Sequence, residues 1–183
     1  MSLREINRES GAKNAVAIQY HFADRAGVLD AIFLKHDTTI EASRNALLDQ
    51  YEADGGGDLR ALAAALVRPL ASKLADPDGG RAFLQIHADV TSGPDGPRPT
   101  PSWNRWHELA GDVLEADAAR LHRRYAATEY AAVELGRRAA RGPHADDRLF
   151  TSYLVDVVTA ILGAPVSDET KRLVRERDRS RTK

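Results

Sequence analysis

The side chains with the most distinctive chemistry near the start of the chain lie within one short stretch. It contains Lys13, Gln19, Tyr20, His21 and Arg25. A glutamine amide can make a bidentate contact with adenine, and cationic or hydroxyl-bearing side chains can bind phosphate oxygens. These residue types therefore suit contact with a nucleic acid, provided that a helix presents them on one side.

Capping patterns around this stretch predict two short helices. Ser2 and Glu5 have the spacing of a capping box, in which each side chain accepts from the backbone amide of the other. Gly11 is the residue expected to end this first helix, and Asn14 is the expected N-cap of the second. Two short helices joined by a glycine-containing turn form a helix-turn-helix unit.

Apolar residues at helical spacing continue through the rest of the chain. Asp24 is the expected N-cap of a long helix over about 25–52, which the glycine run 55–57 ends. Asp58 begins the next helix. The periodicity predicts four further helices. They lie at 81–91, in the segment that Ser102 is expected to cap, at about 118–141 and at 147–163. No strand pattern is present in the sequence, so the predicted fold class is all-α.

Composition limits the class of protein. A hydrophobic content of 43% and a charged content of 29% indicate a folded protein rather than a disordered one. The net charge of -1 means that any nucleic-acid contact must come from local placement of basic groups. The sequence has no cysteine, which excludes disulfides and thiolate ligands. We expect a cytoplasmic protein, because no segment resembles a signal peptide or a membrane span.

Catalysis is the competing class of function. The six histidines form no His-Glu-x-x-His motif, and the sequence has no G-x-S-x-G motif, P-loop or dinucleotide-binding glycine motif. His144 and Asp146 lie in a Gly-Pro turn, where capping a helix is the simpler role. We therefore expect no enzyme activity, no cofactor and no metal site.

The segment "LREINRESGAKNAVAIQYHFADRAGVLDAIFLKH", residues 3–36, resembles the helix-turn-helix of TetR/AcrR-type transcriptional regulators. The matching residues are Ile6, Gly11, Tyr20-His21-Phe22 and Arg25. The resemblance implies a DNA-binding domain over 1–36 and a helical ligand-binding and dimerisation domain over 37–183. It also implies a repressor that a small-molecule ligand releases from double-stranded operator DNA.

The resemblance also implies roles for residues of the second short helix. Ile18 and Phe22 would bury one face, and Val16 and Gln19 would face the major groove, where valine can touch a thymine methyl. Arg25 would bind a phosphate at a helix N-terminus. The candidate DNA-contacting residues are Ser2, Lys13, Asn14, Val16, Gln19, Tyr20, His21 and Arg25.

Regulators of this family bind small, often apolar ligands among their middle helices. The candidate pocket residues are Phe83, His87, Trp103, Trp106 and Tyr125. An ordinary core position is the alternative for each of them, because pocket walls and cores are both apolar.

The resemblance further implies a homodimer. In this family the last two helices of each protomer pack together as a four-helix bundle. The candidate interface residues are Tyr130, Leu135, Phe150, Tyr153, Leu154, Val157, Val158 and Ile161.

Family members carry a further helix before the helix-turn-helix, whereas this sequence starts at the second helix. We expect either a gene that begins upstream of Met1 or a truncated helical ligand-binding dimer without DNA affinity. Asn7, which stands where the family has a small alanine, favours the second alternative.

Overall fold

The computed structural model describes residues 25–114 and 121–181, except for the side chains of Arg25 and Arg181. The chain divides into two compact units, Met1–Thr38 and Thr39–Lys183. The described part contains helices and turns but no strand, which confirms the all-α prediction. The two short helices predicted before Asp24 lie outside the described residues.

Seven α-helices and one short 3₁₀ helix account for the regular structure of these ranges. They are α1 (Arg25–Ala53), α2 (Leu59–Ala71), the 3₁₀ helix (Ser72–Leu74), α3 (Gly80–Thr91), α4 (Pro101–Val113), α5 (Arg123–Ala140), α6 (Arg148–Gly163) and α7 (Asp168–Arg181). None of them alone has the length and apolar character needed to cross a bilayer.

Helix α1 has the predicted bounds to within a residue. Within the second unit it buries one side at intervals of four, four and three residues, through Ile40, Arg44, Leu48 and Tyr51. The Tyr51 hydroxyl accepts a hydrogen bond of 2.8 Å from the amide of Gly57, and so holds the glycine turn against the helix end. An arginine within this buried stripe was not predicted.

The start of α2 agrees with the sequence prediction, whereas the cap of α4 does not. The Asp58 carboxylate accepts from the Arg60 amide at 2.8 Å, as expected for an N-cap. The prediction of Ser102 as the α4 cap is wrong: Thr100 is the N-cap, and its hydroxyl accepts from the Trp103 amide at 3.4 Å. Ser102 lies inside the first turn and is completely buried.

Helix α5 begins later than predicted. Leu121 and His122 lie in a turn before Arg123, although the predicted helix began at about residue 118. His122 has a φ of 57°, a left-handed conformation that cannot continue a right-handed helix.

The core of the second unit lies between closely packed helices. Helix α3 packs on α5, and α2 packs on α6. At Gly136 of α5, an added Cβ would lie 2.6 Å from the Ala88 Cβ of α3, so only glycine permits this approach. The largest fully buried side chains include Leu48, Leu62, Leu66, Phe83, Trp106, Leu135 and Leu162.

Candidate functional site

A buried polar network links three helices of the second unit. Arg44 of α1 is 4% exposed. Its Nη1 donates to the Ser102 hydroxyl at 3.0 Å, and its Nε donates to the Ala65 carbonyl of α2 at 3.3 Å. The guanidinium therefore connects α1 to α2 and α4. A buried charge is tolerated only where such partners surround it.

Glu41, one turn before Arg44, supplies the negative charge of this network. Its carboxylate accepts from the Ser102 amide at 2.8 Å and from the hydroxyls of Ser102 and Thr100. It also lies 3.7 Å from the Arg44 guanidinium. Burial alone raises the pKa of Glu41, but the hydrogen bonds from Ser102 and Thr100 outweigh it, so the net pKa lies below its usual range.

His87 of α3 is the titratable group beside this network. Burial lowers the pKa of its imidazole to about 4, and the positive charge of Arg44 acts in the same direction. Its ring lies 5.6 Å from the Phe83 ring, centre to centre. His87 is therefore neutral near pH 7; it lies beside the Phe83 ring and feels the positive charge of Arg44.

An aromatic cluster lies where α4 meets the start of α5. The Trp103 ring is 5.0 Å from His107 and 5.9 Å from Tyr125, and His107 and Tyr125 are 5.1 Å apart, all between ring centres. The indole N–H of Trp103 points to the Thr128 hydroxyl at 3.4 Å. Tyr125 is 41% exposed whereas Trp103 is 8% exposed, so the cluster has an open side and a buried floor.

His107 gives this cluster a polar group. Burial lowers the pKa of His107; Arg124 acts in the same direction and Glu108 opposes it. Its Nε2 is buried and has no hydrogen-bond partner among the residues that the structure describes. A ligand that stacks on Tyr125 supplies that partner only after the His107 ring turns toward it.

The structure divides the predicted pocket residues into groups. It brings Trp103 together with Tyr125, and Phe83 together with His87. Trp106 is fully buried and its N–H donates to the Leu62 carbonyl at 2.8 Å, which leaves it no polar group for a ligand.

Sequence reasoning missed the polar members Glu41, Arg44, Ser102 and His107. Glu41 and Ser102 are 61 residues apart in sequence, so their spacing carries no local signal. The sequence offered one signal for Arg44: it has the same helical spacing as the apolar residues of α1, which indicates a buried charge.

The candidate dimer residues occupy two kinds of position. Leu135, Leu154 and Val158 are 0–2% exposed inside their own protomer. Because they are already covered, they cannot form the contact surface that was predicted for them. Tyr153 is 64% exposed, and Tyr130, Phe150, Val157 and Ile161 are partly exposed. Leu149, which was not among the predicted interface residues, is 83% exposed on the same helix as Tyr153.

The candidate DNA-contacting residues Ser2, Lys13, Asn14, Val16, Gln19, Tyr20 and His21 lie outside the described residues, as does the side chain of Arg25.

The described residues hold no group of three or more histidine, aspartate or glutamate side chains placed to bind a metal ion. What the network and the cluster offer is recognition: aromatic surface, hydroxyls and fixed charges.

In comparisons with known proteins, no family model, curated protein or solved structure matches the chain.

Proposed function

We propose that the protein is a ligand-responsive, DNA-binding transcriptional repressor of the TetR/AcrR type. The observation that carries the proposal is the position of helix α1. It begins at Arg25, inside the segment 3–36 that resembles a helix-turn-helix, and its residues Glu41 and Arg44 belong to the polar network of the helical unit. Helix α1 thus contains residues of the segment that resembles a DNA-binding domain and residues of the helical unit proposed to bind the ligand.

In this proposal the ligand binds beside Trp103, His107 and Tyr125. Their rings provide flat apolar surface with an open side at Tyr125, and His107 Nε2, which is buried in this conformation, provides a polar contact once its ring turns toward the ligand. Small-molecule sites commonly combine aromatic walls with a few polar groups in this way. The ligand class supported by these residues is an aromatic or flat apolar molecule with one hydrogen-bonding group.

The proposed route from ligand to DNA uses the connection between α4 and α1. Trp103 belongs to α4, whose first turn also contains Ser102, the partner of Arg44 and Glu41. A ligand that moves Trp103 therefore acts on hydrogen bonds of α1. Coupling requires that the ligand binds the DNA-competent and DNA-incompetent states with different affinity.

The test is selection of binding sites from random double-stranded DNA with the 183-residue protein. We expect enrichment of a near-palindromic sequence, because a symmetric dimer reads two half-sites. Gln19→Ala should relax preference at individual positions, whereas Tyr20→Ala should weaken binding to all duplexes alike and reduce the salt dependence.

Gln50→Ala, which alters an exposed glutamine of α1, is the matched control and should leave the selected sequence unchanged. Failure to enrich any sequence would contradict the proposal and favour a helical ligand-binding dimer without DNA affinity.

A further inference from the structure

A cleft in the helical unit contains none of the predicted pocket residues. Its volume is about 580 Å³, and it lies between the end of α2 and the segment that leads into α6. Ala71, Leu74 and Ala75 give it an apolar side. The volume falls within the range of small-molecule sites, roughly 300–1,000 Å³.

The two carboxylates at this cleft already have cationic partners. Asp146 accepts two hydrogen bonds from Arg148 Nε, at 3.0 and 2.9 Å, one from its Nη2 at 2.7 Å and one from its amide at 2.8 Å. The hydrogen bonds from Arg148 lower the pKa of Asp146 to about 2. Asp147 accepts from Arg138 Nε at 2.8 Å. Both acidic charges are therefore matched within the protein.

Arg68 is the cation of the cleft that lacks such a match. It lies in the last turn of α2, is exposed, and its guanidinium makes no hydrogen bond or ion pair with any residue of the described ranges. Asp146 pairs with Arg148 of the lining, and Asp147 pairs with Arg138 outside it, so Arg68 is the one charged side chain of the lining that has no opposite charge of its own among the described residues.

Further donors lie on the opposite side of the cleft. Thr151 and Ser152 contribute hydroxyls from the first turns of α6. His144 also lines the cleft, and its Nε2 is buried with no hydrogen-bond partner within residues 25–114 and 121–181. A buried nitrogen without a partner costs free energy, so turning the ring toward an acceptor in the cleft is favourable.

We infer that this cleft binds a small monocarboxylate with a short apolar body. The carboxylate pairs with Arg68 and receives a hydrogen bond from His144 once its ring turns, and the apolar body lies along Ala71 and Leu74. A single negative charge matches the single uncompensated guanidinium. A dianion would leave one charge unmatched, and a cation would have to compete with Arg148 for Asp146.

The test is titration of the ¹⁵N-labelled, full-length protein with hexanoate, followed by NMR of the histidine ring nitrogens. The signal that is lost in His144→Gln identifies His144. We expect a saturable shift of the His144 nitrogens with hexanoate, and at most a small, unsaturated shift with hexanamide, hexylammonium or hexyl phosphate.

Arg68→Gln should weaken hexanoate binding by about 5-fold, the upper end of what a solvent-exposed ion pair contributes. Arg175→Gln, which alters an exposed arginine of α7 outside this cleft, is the matched control and should change the affinity less than about 2-fold.

An absent or unsaturable His144 shift with hexanoate, or equal affinity in Arg68→Gln, would overturn the inference. Tighter binding of hexylammonium or hexyl phosphate would do the same, because it would assign the cleft to another ligand class. DNA selection by the same protein is a separate measurement, so this inference can fail without the proposed function.

Discussion

Arg44 and Ser102 are 58 residues apart in sequence, yet the Arg44 guanidinium donates to the Ser102 hydroxyl at 3.0 Å in the interior of the helical unit. The same hydroxyl donates to Glu41. The Ser102 hydroxyl therefore bridges the buried Arg44 guanidinium and the Glu41 carboxylate, which both belong to α1. This relationship joins α1 to α4 beside Trp103, and it makes a small side chain important for stability.

Ser102→Ala should lower the free energy of unfolding by about 1–3 kcal/mol, because Arg44 and Glu41 each lose a partner in a buried environment. Urea unfolding followed by circular dichroism measures the change. Ser43→Ala, at an exposed position of α1, is the control and should stay within about 0.5 kcal/mol of the wild type. Equal stability of Ser102→Ala would show that the Ser102 hydroxyl contributes nothing to stability.

Titration of Glu41 should make the free energy of unfolding depend on pH in the acidic range. Its pKa in the folded protein is depressed by hydrogen bonds from Ser102 and Thr100, despite the opposing effect of burial. The stabilisation is complete above the unfolded pKa, about 4.3, and is lost as the pH falls through the folded pKa. The free-energy difference between wild type and Glu41→Gln should therefore shrink as the pH is lowered below about 5.

Unfolding at a series of pH values measures this difference. Glu129→Gln, an exposed glutamate of α5, is the matched control. A gap between wild type and Glu41→Gln that stays constant from pH 6 to pH 3, approximately, would contradict the assigned hydrogen bonds.

His87 should produce a second pH dependence, at higher pH. Burial and the charge of Arg44 lower its pKa to about 4, whereas an unfolded histidine titrates near 6.5. Between these values the unfolded chain binds more protons, so stability falls as the pH falls, by up to about 3 kcal/mol in total. His87→Phe should reduce this slope, and NMR should show a His87 ring that stays neutral until about pH 4.

His122→Asn is the control for that experiment, because His122 is exposed and asparagine tolerates its positive φ. A His87 ring that titrates near pH 6.5 would mean that it is exposed to water in solution.

Local signals in the sequence were sufficient to locate most helices. The glycine run 55–57 and the Asp58 cap define the α1–α2 boundary without any long-range contact, and both were confirmed. The polar network was not predictable, because the pairing of Arg44 with Ser102 depends on how distant helices pack. Trp106 shows a further limit: a core position and a pocket wall have the same apolar periodicity, and only the contact with Leu62 separates them.

The close approach of α3 and α5 predicts the effect of a single methyl group. Gly136→Ala would place a Cβ 2.6 Å from the Ala88 Cβ and 3.3 Å from the Leu84 carbonyl oxygen. Because backbone and a short side chain cannot turn away, we expect a loss of about 1–3 kcal/mol in unfolding free energy. Gly136→Ala combined with Ala88→Gly should recover part of this loss, since the second change removes the nearer atom. An unchanged free energy in Gly136→Ala would contradict the packing.

The proposed homodimer predicts that the outer side of α6 is needed for association. Leu149 is 83% exposed and Tyr153, one turn later, is 64% exposed, so they form an apolar row that the protomer does not cover. A symmetric dimer would bring this row against its copy, and a charge placed there would meet a like charge across the two-fold axis. Tyr153→Glu should therefore weaken dimerisation by about 100-fold or more, the effect of losing an aromatic hot spot and adding repulsion. Sedimentation velocity over a range of concentrations measures the dissociation constant.

Leu173→Glu, at a leucine of α7 that is 49% exposed, introduces the same charge elsewhere and should leave the dimer intact. A wild-type protein that stays monomeric, or a Tyr153→Glu variant that dimerises normally, would remove α6 from the interface.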